Sequence, residues 1–327
     1  MSEFIGRRVN LGVSRETTRG TFPGTFTYWV PRTDLTFQDR ATKVVSATGH
    51  GHIDQSTDAF VTEKFGEGSI SSEIRDRSFG LFLYSIMGTL TTTNPLATAY
   101  QHDFTEANSN QHQSLSFGLD DPNADDSYFA LVMLNSLTIN VEVGQIATFT
   151  ADFMSRAGDD VTATATYTTS ENRFVSHFVD MKLAATTGAL AAATALPIKS
   201  FTITFSKNLV RDHNFGTIQP TEIHNQSFSC EGSFTLNNED NTYRDYMLDN
   251  TYRALRLDAQ NTDVTIETGY NPRLQIDLSR VDLHSWERNN ALDEISGQTI
   301  SFRAHKDVAG ALNMVNNIML INAVSSY

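Results

Sequence analysis

A single cysteine, Cys230, stands in a chain of 327 residues. One thiol excludes an intrachain disulfide and any metal site built from several thiolates. Lying between Ser229 and Glu231 in a strand-like run, it reads as a small buried residue rather than a nucleophile. No stretch nears the roughly 18 consecutive apolar residues that a membrane-spanning helix needs. The opening Met1-Ser2-Glu3-Phe4-Ile5-Gly6-Arg7-Arg8 has no apolar run behind its charges. A secretory leader is therefore not expected, and synthesis in a cytoplasm is. A basic surplus is missing as well: 38 acids face 24 Lys and Arg, a net charge of −14. Proteins that read nucleic-acid sequence carry a basic footprint, and this chain on average repels phosphate. The imbalance is local. Residues 101–150 hold seven acids and no Lys or Arg, whereas residues 1–50 hold seven Lys and Arg and four acids. Such an acidic surface either keeps the chain soluble or keeps DNA off it.

Catalytic signatures are also lacking. There is no P-loop, no nucleophile elbow and no two-histidine zinc helix. Asp121-Pro-Asn123-Ala-Asp125 opens like a calcium loop, but Asp126 stands where Gly is required and Val132 where the closing Glu belongs, so an acidic turn is expected. His50-Gly-His52, with Asp54 next in strand register, finds no third and fourth ligand by spacing. Asn225-Gln-Ser227 is a glycosylation sequon without a leader to expose it. Carboxylate pairs in so acidic a chain carry no weight as a glycosidase signal. The expectation is a chain with no catalytic residues, no metal and no cofactor.

What is present is period-two alternation. Phe201-Thr-Ile203-Thr-Phe205, Leu137-Thr-Ile139-Asn-Val141-Glu-Val143, Leu274-Gln-Ile276-Asp-Leu278 and Ile300-Ser-Phe302-Arg-Ala304 each place apolar residues on one strand face. Phe149-Thr-Ala151-Asp-Phe153, after Gly144, reads as the return strand of a hairpin. Helical periodicity is confined to 76–87, with Phe79, Phe82, Leu83 and Ile86, and to 240–255, with Tyr243, Tyr246, Met247 and Leu255. Around these helices the chain repeats itself. Glu67-Gly68-Ser69-Ile70 and the Phe79/Phe82 pair recur as Glu231-Gly232-Ser233-Phe234 and Tyr243/Tyr246, each 164 positions later. Duplication explains one offset across a strand and a helix; chance similarity of a few residues is the alternative. The boundary falls within 155–172. Residues 184–196, rich in Ala and Thr, read as a hairpin tip with room for a short helix. Residues 1–27, rich in Gly, Thr and Arg without a sustained period, read as an arm that awaits a partner.

The run Ile5-Gly6-Arg7-Arg8-Val9-x-Leu11-Gly12-Val13-x-x-Glu16-Thr17-x-Arg19-Gly20-Thr21, followed by Tyr28-Trp29-Val30-Pro31, resembles the opening of a family of bacteriophage tail tube proteins. Further similar stretches follow in order: Glu67–Ile70, Asp76-x-Ser78-Phe79-Gly80, Asn108–His112, Leu134–Leu137, Thr262–Ile266 and Trp286–Arg288. The resemblance implies a mainly β fold, here two tandem β-sandwich or half-barrel tail-tube domains, each with one flanking α-helix. The expected division is an arm at 1–27, a first domain at 28–165 and a second at 166–327. It also implies subunits whose inner sheets close into rings, with rings stacking into a tube that carries DNA from capsid to host. The doubled chain suggests a homotrimer ring imitating a hexamer. Implied partners are further copies of itself, a tape-measure protein, tail terminator and tail tip proteins, and DNA in non-specific transit; no membrane is implied. The implied location is the virion tail, after synthesis in the host cytoplasm. The family fixes no catalytic residues.

Within that frame, Arg7, Arg8, Arg15 and Arg19 are expected to carry the arm onto the acidic 101–150 segment of a neighbouring subunit. Glu142, Asp152, Asp277 and Asp282 are candidates for the lumen wall, where a negative surface gains no counterion-release energy with DNA and lets it slide. The plain alternative is that these acids face water outside. A glycan-binding β-sandwich of a tail tip or fibre is the competing function. It requires exposed aromatic platforms, and Trp29 and Trp286 are the only tryptophans.

Overall fold

The structure, a computed structural model, describes residues 5–122, 125–293 and 295–327. Antiparallel strands are its main element. In chain order these begin with β1 (Asn10–Arg15), β2 (Tyr28–Trp29), β3 (Asp34–Leu35), β4 (Gln38–Ser46) and β5 (Asp58–Glu73). Helix α1 (Phe79–Met87) precedes β6 (Gly88–Leu96), β7 (Ala99–Glu106), β8 (Leu115–Asp120), β9 (Ser127–Glu142), β10 (Thr148–Arg156) and β11 (Asp159–Asp160). Then come β12 (Val179–Ala184), β13 (Ala195–Leu196), β14 (Ile198–Ser206), β15 (Leu209–Asp212), β16 (Glu222–Asn225) and β17 (Ser229–Asn237). Helix α2 (Thr242–Leu248) leads to β18 (Arg253–Gln260), β19 (Arg273–Asn289), β20 (Gly297–His305) and β21 (Val315–Asn322).

Eight of these strands form one continuous run: β4, β5, β10, β9, β14, β17, β20, β19. The first four and the last four repeat one another residue by residue. Gly68 pairs with Phe153 as Gly232 pairs with Phe302. Asp152 pairs with Ser136 and Phe153 with Leu134, leaving Asn135 as a bulge; Ser301 pairs with Ser285 and Phe302 with Leu283, leaving His284 as the same bulge. The helices keep the correspondence, α1 packing on β9 and α2 on β19.

β9 and β19 are long because each serves two sheets. The first part of β9 joins β8, β1 and β2, and the first part of β19 joins β18, β12, β21 and the β6–β7 hairpin. One large apolar cluster fills the space between, with Phe79, Phe82, Phe149, Phe153, Phe201, Phe234 and Phe302 all close to fully buried.

The glycine of the repeated Glu-Gly-Ser stretch has a steric reason. A Cβ at Gly232 would lie 2.3 Å from Thr202 O, and one at Gly68 2.4 Å from the Phe37 Cα. Both obstacles are backbone, so neither can swing away. Gly232→Ala is expected to lower stability by about 1–3 kcal/mol, the usual cost of overpacking, read as a shift in the urea midpoint at constant slope. An unchanged midpoint would contradict it.

The two helices differ in cover. α1 is buried along nearly its whole length, so its last carbonyls need partners within the protein. Gly88 N donates to Tyr84 O, Lys207 Nζ to Ser85 O at 2.8 Å and Ala107 N to Met87 O at 2.8 Å, while His112 Nδ1 sits 3.0 Å from Ile86 O. Lys207 is thereby explained as a buried lysine at the negative end of a helix; burial drives its amine well below the ordinary lysine range. α2 has no buried residue. It is also shorter than its periodicity predicts: Asn250 takes a φ of 49°, the chain leaves the helix, and Leu255 lies on β18 instead.

Two other expectations change. Residues 10–15 are not a waiting arm: β1 pairs with β8 and β2, and Leu11 and Val13 are fully buried. The Gly-rich, Thr-rich composition hid a strand of six residues between turns. His50, His52 and Asp54 share no strand face, because they fall in the exposed loop at the tip of the β4–β5 hairpin. The calcium-like stretch includes Asn123, outside the described residues.

Candidate functional site

Along the eight-stranded run, alternation sends large apolar side chains to one face and short polar ones to the other. β14 buries Phe201, Ile203 and Phe205 and presents Ser200, Thr202, Thr204 and Ser206. β9 presents Ser136, Thr138, Asn140 and Glu142; β10 presents Thr148, Thr150 and Asp152. Directly opposed residues share a face, so the polar set continues across β5 with Ser69 and Ser71, β17 with Ser233 and Thr235, and β20 with Thr299 and Ser301.

These hydroxyls bind one another across strands. Ser71 Oγ lies 2.9 Å from Thr150 Oγ1, Thr138 Oγ1 2.9 Å from Thr204 Oγ1, and Ser200 Oγ 2.7 Å from Thr235 Oγ1. Thr202 donates to Asn140 Oδ1 at 2.9 Å. The result is a carpet of short side chains, many of whose hydroxyls bond a neighbour across the strands.

Three of the four candidate lumen acids lie on this face. Asp152 accepts from Ser136 Oγ at 2.5 Å, Glu142 is exposed at the end of β9, and Asp282 is opposed to Arg303. Arg303 in turn pairs with Glu231, 3.0 Å away. Asp277 is elsewhere. It sits on the first part of β19, outside the eight-stranded run, buried and held by Nε and Nη2 of Arg256, each at 2.7 Å. Alternation alone could not separate Asp277 from Asp282, because β19 passes from one sheet to the other between them. The Ser and Thr positions were visible in the same alternating runs; attention to formal charge passed over them.

The arginines expected on a free arm divide in two. Arg15 Nη1 donates to Tyr327 O at 2.7 Å, and its guanidinium lies 5.4 Å from the Tyr84 ring. Arg19 pairs with Glu222 at 2.7 Å and also donates to His112 O and Ile223 O. Both are therefore engaged inside the chain. Arg7 and Arg8 stand exposed on a single 3₁₀ turn, Gly6–Arg8. The motif around them is held by Glu16, a residue that charge counting overlooked. Its carboxylate is buried and accepts from Gly20 N, Ser114 Oγ, Ser116 Oγ and Leu131 N at 2.5–2.8 Å. Leu131 has a φ of 55° where β9 turns between sheets, so Glu16 pins that turn.

Neither tryptophan forms a platform. Trp29 is only 7% exposed, and Trp286 is half-buried with its indole N–H on Gln298 Oε1 at 2.8 Å. Among the described residues no three His, Cys, Asp or Glu gather as a metal site. Burial pushes the Cys230 thiol up, away from nucleophilic reactivity.

A family model described as phage tail tube protein matches residues 6–304. The chain belongs to the phage tail tube protein family. No curated protein matches it. As a tail tube protein it has a structural role in the virion tail, and membership fits its β-rich architecture. The matched span takes in β1, the Glu16 hub and every strand of the eight-stranded run except the last residue of β20.

Proposed function

We propose that this tail tube protein assembles with further copies of itself into closed rings, three chains to a ring, and that the rings stack into a conduit for DNA. The observation that carries this is the eight-stranded run with its carpeted polar face. Both its ends are open: among the described residues β4 has no partner but β5, and residues 282–289 of β19 none but β20. An open sheet edge invites further pairing, and a ring that closes removes every edge with one repeated contact.

In this reading the two units are 28–165 and 166–327, products of duplication, with β1 added to the first. The hydroxyl face is the lumen. Glu142, Asp152 and Asp282 add negative charge to it, and Arg303 on the same face is paired with Glu231, so DNA meets a wall with little hold on phosphate. Arg7, exposed on the Gly6–Arg8 turn, is then the arm residue that reaches a neighbour. Val44, Val45 and Phe60, 56–59% exposed on the β4–β5 hairpin, supply apolar contact with adjacent copies. A tape-measure protein, terminator and tip proteins would complete the tail, assembled from subunits made in the host cytoplasm.

The test is electron microscopy of the concentrated protein. Rings or stacked tubes with a central channel are expected. A chain that stays monomeric at every concentration and with its tail partners present would overturn the proposal.

A further inference from the structure

The two halves of the chain are joined by a seam of their own. Inside the chain, the first half meets the second where β9 pairs with β14: Ser136 with Ser206, Leu137 with Phe205, Thr138 with Thr204, Ile139 with Ile203. The repeat then assigns equivalents. Glu67 and Glu231 correspond, and their partners are Gln38 and Thr204, so Gln38 occupies the place of Thr204. Through Gly68 and Gly232, Phe153 corresponds to Phe302; following the ladder across the shared bulge, Thr138 corresponds to Glu287 and Ser136 to Ser285.

We infer that the contact between neighbouring chains copies the internal β9–β14 seam in register but not in chemistry, with Gln38 of one copy opposite Glu287 of the next and Arg40 opposite Ser285. The inference rests on the proposed ring. Its content is the register and the character of the joint. At the internal seam the core-side pairs are Leu137 with Phe205 and Ile139 with Ile203, all buried. Their counterparts between chains are Trp286 with Asp39 and Arg288 with Phe37. On the polar face, the neutral Thr138–Thr204 contact is replaced by Glu287 facing Gln38, with Arg40 one diagonal step away. Gln38, Arg40, Glu287 and Arg288 are all exposed in the single chain.

That difference has a physical use. A free edge as apolar as the internal seam would pair without control before assembly, and charged edge residues prevent this. Held in register on a neighbour, the same residues come opposite useful partners: Arg40 reaches Glu287 across the diagonal. The seam between chains is thus polar and reversible, while the seam within the chain is permanent.

Cysteine pairs read the register directly. At the internal seam the Thr138 and Thr204 hydroxyls are 2.9 Å apart, so cysteines in equivalent places lie within reach of a disulfide. In the full chain, Gln38→Cys with Glu287→Cys should give covalently linked chains, ending at a closed trimer on a non-reducing gel of assembled rings. Cys230 is fully buried and contributes no background. Two offset pairs serve as rulers: Gln38→Cys with Ser285→Cys, and Arg40→Cys with Glu287→Cys. Each is expected to link at least tenfold less. Arg40→Glu should lower the assembled fraction, and adding Glu287→Arg should restore it. Rings visible by microscopy that link best through an offset pair, or through none, overturn the register while the tube reading stands. Failure to form rings in the unsubstituted chain overturns both.

Discussion

Removing residues 1–27 is expected to prevent folding rather than merely weaken assembly. An arm that waits for a partner could be cut away without loss, and this one cannot. β1 contributes Leu11 and Val13 to the core and lies between β8 and β2. Its departure would expose the outer edge of β8 and strip the apolar cover from Phe117 and its neighbours. It would also take away Glu16. Of the four donors that close on that carboxylate, those of Ser114, Ser116 and Leu131 remain after the deletion, and each buried donor left without an acceptor costs about 1–3 kcal/mol. Against a typical total stability of about 5–15 kcal/mol the loss is decisive. Glu16→Ala alone gives the graded version: a destabilisation of several kcal/mol, with the Leu131 turn of β9 loosened. Circular dichroism through a urea titration measures both variants. A truncated chain that unfolds cooperatively at the wild-type midpoint would show that the strand is dispensable.

Ala41→Pro is expected to abolish ring formation and leave the single chain folded. Its counterpart in the second half is Lys207, whose N–H donates across the internal seam to Asn135 O at 2.9 Å, while its carbonyl accepts from Gln226 N on the other side. By the same correspondence, the Ala41 N–H points out from the free edge of β4, where the proposed ring seats the next copy. Proline removes that donor and places a ring in the path of the incoming strand, which is why it is tolerated only on edges that are meant to stay open. Ala41 is exposed in the single chain, as is every residue of β4 but the last. The urea midpoint should therefore move by less than about 1 kcal/mol, as for most surface changes, while rings disappear from micrographs. Normal rings from this variant would place the contact between chains somewhere other than β4.

How much of this was legible beforehand depends on the physics of each feature. Strands with strict alternation, such as β14 and β20, were visible because a half-buried pleated surface imposes period two. The repeat was visible because Gly68 and Gly232 are sterically required and therefore stand out. β1 was not, since Gly12 and Ser14 interrupt its apolar pattern; Gly12 lies against Phe26, where a side chain would clash. The length of α2 was overstated because Leu255 falls in phase with the helix yet belongs to the next strand. Lumen candidates chosen by charge included Asp277, a residue bound into an Arg256 pair; only the topology of β19 tells it from Asp282. The hydroxyl carpet has no periodic signature beyond that of any polar strand face, and its meaning appears only when eight strands are laid side by side.

The central claim is that three chains close a ring by joining eight-stranded sheets edge to edge, hydroxyl face inward. A cryo-electron microscopy map of assembled tubes tests it most directly. The map should show strict three-fold and approximate six-fold symmetry, with α1 and α2 alternating around the ring and Thr138, Thr204 and Asp152 facing the channel. A ring of six identical chains, or a channel lined by the Arg256–Asp277 surface, would contradict it.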